Sequence, residues 1–107
     1  LISNSGKTRE ILELIELSKE LDSTIKFIVI TGNKNSQLAK LANVVLLTGS
    51  PEEVCALGLA PTTSTTVMNV IGDILVVETM KQIGFTVEEY NKRHHGGYLG
   101  QRSKKLL

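Results

Sequence analysis

Apolar residues recur at helical spacing over positions 10–21, near the start of the chain. Ile11, Leu14, Ile15 and Leu21 share one face, and acidic residues hold most of the other. This pattern predicts an amphipathic helix. Ser36 is a typical N-cap, which predicts a second, short helix over positions 37–42.

Two apolar segments have the character of strands. Positions 25–31 are rich in β-branched residues and end in a continuous apolar run, and positions 44–47 are Val-Val-Leu-Leu. Such runs are typical of strands buried on both faces of a parallel sheet. Leu1 and Ile2 resemble the end of a further strand. Strands that alternate with helices predict an α/β fold with right-handed crossovers.

The second half of the chain predicts helices only. A long helix is expected over positions 66–83, with Gly84 ending it, and Thr86 is the expected N-cap of a shorter helix over 87–91. Positions 94–100 contain three glycines and are interpreted as a loop. The long helix is apolar over most of its surface, so we expect it to pack against a partner subunit or another part of the protein.

Composition narrows the class of protein. The chain has 107 residues, 41% of them apolar and 21% charged, as expected for one globular domain over 1–107. A net charge of +1 indicates neither nucleic acid nor a membrane surface as partner. The single cysteine, Cys55, is interpreted as a small buried residue in a reducing compartment, and with no signal peptide visible we expect a cytoplasmic location.

Residues 3–8, here called the hydroxyl turn, carry the first sign of chemistry. Ser3, Asn4, Ser5 and Thr8 surround Gly6 between the expected end of a strand and the first helix. Unpaired N–H groups and the dipole at a helix N-terminus favour an anion, and hydroxyl groups add donors. The turn therefore predicts a phosphate site, although a Ser/Thr turn is more often an ordinary helix cap.

Three other polar groups belong to the same interpretation. Glu52 and Glu53 follow the strand over 44–47, hydroxyl residues fill positions 62–66, and His94 and His95 follow the last predicted helix. Ligands of open α/β sheets bind at the carboxyl ends of the strands, where the loops after the strands meet. Solvated loop carboxylates remain the alternative for the glutamates, and adjacent histidines fit metal-ligand spacing poorly.

Longer motifs resemble the sugar isomerase (SIS) domain of phosphosugar enzymes, and within it the arabinose-5-phosphate isomerases. The motifs are Ser-Asn-Ser-Gly at 3–6, Ile-Thr-Gly at 30–32, Glu-Val-Cys-Ala-Leu-Gly-Leu-Ala-Pro-Thr at 53–62, and His-His-Gly-Gly-Tyr-Leu-Gly at 94–100. The resemblance implies a three-layer, doubly wound, flavodoxin-like α/β domain. Because the chain begins at the end of a strand, we expect it to be the C-terminal part of that domain, with the N-terminal part missing.

The resemblance also implies roles for individual residues. Glu53 and His94 are implied as the catalytic groups of an aldose–ketose isomerase that needs no cofactor. The hydroxyl turn and four residues of the later run are implied as substrate-binding: Ser3, Asn4, Ser5, Thr8, Thr62, Thr63, Ser64 and Thr65. The expected partners are a small phosphosugar and further copies of the chain. The chain departs from the family in lacking an upstream Gly-Lys-Ser loop, and in having Lys7 where a glutamate is frequent.

Two other functions stay open at this point. The first is a non-catalytic SIS domain that senses a phosphosugar within a regulator, although no helix-turn-helix is visible in these 107 residues. The second is an SIS enzyme of different chemistry, such as an amino-sugar isomerase. The candidate catalytic residues Glu53 and His94 favour the aldose–ketose isomerase.

Overall fold

A computed structural model describes all residues, 1–107, as two compact units, Leu1–Asp73 and Ile74–Leu107. Seven elements follow one another along the chain: α1 (Arg9–Leu21), β1 (Ile28–Thr31), α2 (Gln37–Leu41), β2 (Val44–Leu47), α3 (Thr63–Gln82), α4 (Val87–Arg93) and α5 (Gly97–Lys104). The first unit holds the sheet, and α3 runs from the first unit into the second.

The sheet is parallel, as its apolar strands predict. β1 pairs with β2 in a register that sets Ile28 opposite Val44. Ile2 forms a parallel bridge with Ile30 on the other side of β1, so the start of the chain is a third parallel segment. β1 begins three residues later than predicted because the Phe27 N–H donates to the side-chain oxygen of Asn43 (2.8 Å) and not to a neighbouring strand.

The core of the first unit lies between this sheet and its helices. Ile15 of α1 is 1% exposed and clusters with Phe27, Val29 and Leu38. The predicted apolar face of α1 is only partly used, because Leu21 at its end is 89% exposed. α2 begins as predicted, with Ser36 Oγ accepting a hydrogen bond from the Ala39 N–H (3.1 Å).

α3 begins three residues earlier than predicted, at Thr63. Most of the hydroxyl run therefore forms the first helical turn and not a loop before the helix. Gly84 ends the helix in a left-handed conformation (φ 61°), and the Phe85 N–H donates to the Met80 carbonyl (2.9 Å) in the pattern of a Schellman cap. No helix of the chain combines the length and the apolarity that a membrane crossing requires.

The second unit contains a helix that was predicted as a loop. α5 covers Gly97–Lys104, so the loop assignment of positions 94–100 was wrong over its last four residues. The reason is tertiary: a Cβ at Gly100 would lie 2.8 Å from the carbonyl carbon of His95, so glycine is what lets α5 approach the end of α4. Ser103 Oγ of α5 links the two helices by donating a hydrogen bond to Asn91 Oδ1 of α4 (3.0 Å).

Candidate functional site

The hydroxyl turn is a fixed structure built around Gly6. The Gly6 φ of 62° is left-handed, and a Cβ there would collide with the side chain of Ser36 at the start of α2. The Gly6 N–H donates to the carbonyl and the hydroxyl oxygen of Ser3 (both 3.2 Å), and the Gly6 carbonyl accepts from the Leu38 N–H (3.2 Å). Glycine is therefore required both for the backbone conformation and for the close contact with α2.

The hydroxyl groups of the turn divide into internal and exposed ones. Ser3 is buried, and its Oγ lies 2.7 Å from Thr8 Oγ1, so this pair ties the turn together. Ser5 is exposed, and its Oγ accepts from the Lys7 N–H (3.2 Å), which leaves its proton available to a ligand. Thr8 is the N-cap residue of α1 but makes no side-chain capping bond. The first N–H groups of α1 are thus free of a Thr8 cap, as an anion site requires.

Three loops meet at the carboxyl end of the sheet. The Asn4 carbonyl accepts from the Gly32 N–H (3.0 Å) and from Thr31 Oγ1 (3.2 Å), and the Thr48 N–H donates to the Thr31 carbonyl (3.0 Å). Ser50 Oγ donates to the Gly32 carbonyl. These bonds hold the hydroxyl turn against the ends of β1 and β2, which is where open α/β sheets bind their ligands.

A cavity of about 420 Å³ opens at this edge. Its lining consists of six residues from two predicted site segments and the turn after β2: Asn4, Ser50, Pro51, Glu52, Glu53 and Gly58. The structure therefore brings two sequence-predicted site residues, Asn4 and Glu53, to the wall of one cavity. The sequence interpretation did not identify Ser50, for which Gly49 and Pro51 on either side were the available turn signal.

One oxygen of the Glu53 carboxylate accepts a cluster of hydrogen bonds. Glu53 Oε2 accepts from the Thr62 N–H (2.6 Å), from Thr62 Oγ1 (2.7 Å) and from the Ser64 N–H (3.3 Å). These groups belong to the start of α3, so the carboxylate caps that helix and meets the positive end of its dipole. Of the four residues of this run that the resemblance implied as substrate-binding, Thr62 thus has both its hydroxyl and its N–H engaged by Glu53, and Ser64 has its N–H engaged.

Polar groups at the start of α3 lower the pKa of Glu53. The Ser64 hydroxyl has the largest effect, followed by the hydroxyl and then the N–H of Thr62, and together they hold the pKa at about 2 against an ordinary value of 4.5. Ser64 Oγ is buried and has no partner within hydrogen-bond geometry, so its effect is that of a nearby dipole, while the bonds to Thr62 are formed. Glu53 is a carboxylate, not a carboxylic acid, at any physiological pH.

The rest of the hydroxyl run is engaged within its own helix. Thr65 Oγ1 and Thr66 Oγ1 both donate to the Thr62 carbonyl, at 2.7 and 3.1 Å, and Thr63 is half-buried in the first turn of α3. These contacts are those of a helix start. Substrate binding by Thr62, Thr63, Ser64 and Thr65 stays a prediction.

The histidines lie in the second unit. His94 follows α4, where its ring stacks on that of Tyr90 with centroids 4.2 Å apart, and its Nδ1 lies 3.3 Å from the Tyr90 carbonyl oxygen. Both His94 and His95 are exposed. No group of three or more His, Cys, Asp or Glu side chains is placed to hold a metal ion.

Cys55 differs from its sequence interpretation as a buried residue. It is only half-buried, and its Sγ accepts from the N–H groups of Leu59 and Ala60 (both 3.2 Å). The hydrogen bond from Ala60 is the main cause that lowers the pKa of the thiol. The sulfur thus acts as an acceptor within the loop between Glu53 and Thr62.

Comparison with known proteins identifies the same family along most of the chain. The sequence profile of the SIS domain matches residues 1–78. Arabinose 5-phosphate isomerases KdsD from Salmonella typhi and Pseudomonas aeruginosa are 46% and 48% identical over 101 residues, which is 94% of this chain and 30% of each relative. The chain thus spans less than a third of the length of these curated relatives.

Two solved structures have the same fold. A candidate phosphosugar isomerase involved in capsule formation, from Bacteroides fragilis NCTC 9343, is 68% identical with a TM-score of 0.87, over 92% of this chain and 51% of that one. A protein of Escherichia coli CFT073, solved in complex with arabinose 5-phosphate, is 33% identical with a TM-score of 0.78, over 88% of this chain and 49% of that one.

Proposed function

Because the chain belongs to the SIS-domain family, we propose that it is the C-terminal part of the phosphosugar-binding domain of an aldose–ketose isomerase. The substrate pair is D-arabinose 5-phosphate and D-ribulose 5-phosphate. The observation that carries the proposal is the shared cavity of Asn4, from the hydroxyl turn, and Glu53 at the carboxyl end of the parallel sheet. The identity of 46–48% to arabinose 5-phosphate isomerases supports the choice of sugar.

Phosphate binding is the first step of the proposed mechanism. The exposed Ser5 hydroxyl and the start of α1, where Thr8 makes no capping bond, offer donors to the phosphate. Ser3 and Thr8 bond to each other and so fix the turn that presents these donors. Anchoring the phosphate away from the reacting carbons provides binding energy that orients C1 and C2 of the sugar.

Proton transfer is the second step. Glu53 takes the proton from C2 of the open-chain aldose, the electrons form the C1=C2 double bond of an enediol, and the former carbonyl oxygen receives a proton from His94. Return of a proton to C1 and loss of the proton from the C2 hydroxyl give the ketose. The step balances without a cofactor, and each positioned acid or base contributes about 10²–10⁴-fold.

The setting of the intact protein belongs to the same proposal. We place it in the cytoplasm as a homo-oligomer that supplies sugar for capsule or lipopolysaccharide synthesis. The Bacteroides fragilis relative, 68% identical, is described as involved in capsule formation, which supports this setting.

Turnover in heavy water tests the activity and the enediol together. The intact protein is incubated with arabinose 5-phosphate in D₂O and followed by NMR. We expect ribulose 5-phosphate with deuterium at C1, because a proton held on a carboxylate exchanges with solvent before its return. Absence of conversion by a protein that binds the sugar contradicts the isomerase, and conversion without deuterium contradicts an exchanging enediol intermediate.

A sensing domain without catalysis is the second candidate. The observation that favours it is the pKa of Glu53, about 2, because a general base works best with a pKa near the operating pH. If the domain is a sensor, calorimetry shows that it binds the phosphosugar, and NMR shows no conversion. Its affinity for the phosphosugar is then unchanged in Glu53→Gln.

A further inference from the structure

The hydroxyl of Thr62 has a single orientation available to it. Thr62 Oγ1 accepts a hydrogen bond from the Val54 N–H (3.1 Å) and lies 2.7 Å from Glu53 Oε2. A carboxylate has no proton to give, so the Thr62 proton points at Glu53. Because its one proton is committed to Glu53, this hydroxyl cannot donate a hydrogen bond to a sugar.

All of the hydrogen bonds to the Glu53 carboxylate end on one oxygen. Two come from Thr62, through its N–H (2.6 Å) and its hydroxyl, and the third comes from the Ser64 N–H (3.3 Å). Oε1 accepts none of them, and Glu53 is part of the cavity wall. The carboxylate is therefore asymmetric, with one oxygen held by α3 and one oxygen unbonded.

The loop between these two residues is not held by packing. Its large apolar side chains, Val54, Leu57 and Leu59, are each 80% exposed. The bonds between Glu53 and Thr62, nine residues apart, join the two ends of this loop. They decide where the carboxylate lies more than any apolar contact of the loop does.

We propose that Thr62 is a positioning residue, whose hydroxyl and N–H hold Glu53 Oε2 so that Oε1 is left to exchange protons with the substrate. The inference rests on the isomerase function proposed above. It moves Thr62 from the substrate-binding set, where the sequence resemblance put it, to the support of the base. The low pKa of Glu53 agrees with this arrangement, since hydrogen bonds to the charged form stabilise it.

The test compares Thr62→Val with Thr62→Ser in the intact protein. Valine keeps the branched shape and the N–H but removes the hydroxyl, and serine restores the hydroxyl. The side-chain carboxyl carbon of Glu53 is followed by ¹³C NMR from pH 7 down to pH 2, with its signal assigned by loss in Glu53→Gln. Glu52 is the other ionisable residue that lines the cavity, so its signal is followed as well.

We expect the pKa of Glu53 to rise by about one unit or more in Thr62→Val and to stay low in Thr62→Ser. In Thr62→Val, but not in Thr62→Ser, the acid limb of the pH profile of kcat/KM moves to higher pH. In Thr62→Val, kcat also falls by a larger factor than KM changes. A merely structural role lowers activity at every pH without moving the limb. Thr79→Val, at an exposed threonine late in α3, is the matched control and should change neither readout.

An unchanged Glu53 titration in Thr62→Val overturns the proposal, whatever the activity. A wild-type protein without isomerase activity overturns the proposed function instead, and the NMR titration then still decides whether Thr62 holds Glu53. If Thr62→Val does not fold, a raised pKa of Glu53 in Thr62→Ser relative to wild type contradicts the proposal, because serine keeps the donor.

Discussion

In the proposed mechanism Glu53 has two roles, as the cap of α3 and as the base, and these roles favour opposite changes of its pKa. As the cap of α3 it is stabilised in its charged form by the nearby Ser64 hydroxyl and then by Thr62, which hold its pKa at about 2. As a proton acceptor it would work better with a higher pKa. In the proposed arrangement the bonds to Oε2 fix the orientation of the carboxylate and leave Oε1 to the substrate, while they also make the carboxylate a weaker base.

The low pKa of Glu53 predicts an acid-dependent contribution to stability. A folded-state pKa of about 2, below the ordinary 4.5, gives stabilisation that is complete above pH 4.5 and is lost as the pH falls toward 2. We expect wild type to exceed Glu53→Gln in free energy of unfolding at pH 6, with a smaller gap at pH 3, measured by urea denaturation. Glu89, whose pKa is also about 2, titrates in both proteins and cancels in the difference. A gap that is constant with pH contradicts the capping account.

Ser5 is the residue whose removal tests the phosphate site. Its hydroxyl is exposed and keeps a proton to donate, so Ser5→Ala removes the bond that we propose it makes to the phosphate. We expect affinity for the phosphosugar to fall by about 1.5–3 kcal/mol, or roughly ten- to a hundredfold, measured by calorimetry. If Ser5→Ala and wild type bind the phosphosugar with equal affinity, the phosphate is bound elsewhere.

At the scale of elements, local signals predicted more than tertiary ones. α2 and β2 were expected almost as found, because the Ser36 cap and a four-residue apolar run are signals contained within the segment. The start of α3 and all of α5 were missed. Glu53, ten residues before α3, caps that helix, and Gly100 permits the approach of α5 to α4. A contact between distant residues leaves no periodic trace in the sequence.

The role of Gly100 is tested by comparing two helical glycines. Alanine normally stabilises a helix over glycine by about 0.5–1 kcal/mol, and Gly72 in α3 has open space for a Cβ. We expect Gly72→Ala to stabilise the protein by that amount. We expect Gly100→Ala to destabilise it by about 1–3 kcal/mol, because its Cβ would meet the backbone of His94 and His95. Thermal and urea unfolding measure both, and a stabilising Gly100→Ala would rule out the close contact.

At the scale of the whole molecule, sequence motifs identified the family before any coordinates. The resemblance to the SIS domain is confirmed by the profile match over residues 1–78 and by the fold of the solved relatives. What motifs could not supply is the arrangement within the site. They predicted Glu53 and Thr62 as site residues, but they did not predict the hydrogen bond between the two, which depends on the geometry of the loop between them.

The exposed apolar side of α3 predicts a contact beyond these 107 residues. Ile74 is 56% exposed and has exposed apolar neighbours on the helix in Val70 and Val77. A substitution at a truly exposed position changes stability by about 0.5 kcal/mol or less. We expect Ile74→Glu to cost about 2 kcal/mol or more in the intact protein, and to dissociate it by light scattering if the contact is between subunits. The control is Asn69→Glu, at an exposed polar position of the same helix. If Ile74→Glu changes neither the stability nor the oligomeric state of the intact protein, nothing packs against this side of α3.

Steady-state isomerisation by the intact Glu53→Gln variant tests the central claim most directly. Glutamine keeps the shape and removes the base, so kcat for arabinose 5-phosphate should fall by about 10²-fold or more while KM changes little. His94→Ala should lower kcat similarly, and His95→Ala less. Turnover by Glu53→Gln close to that of wild type would contradict the account, because the base would then lie elsewhere and Glu53 would be only the cap of α3.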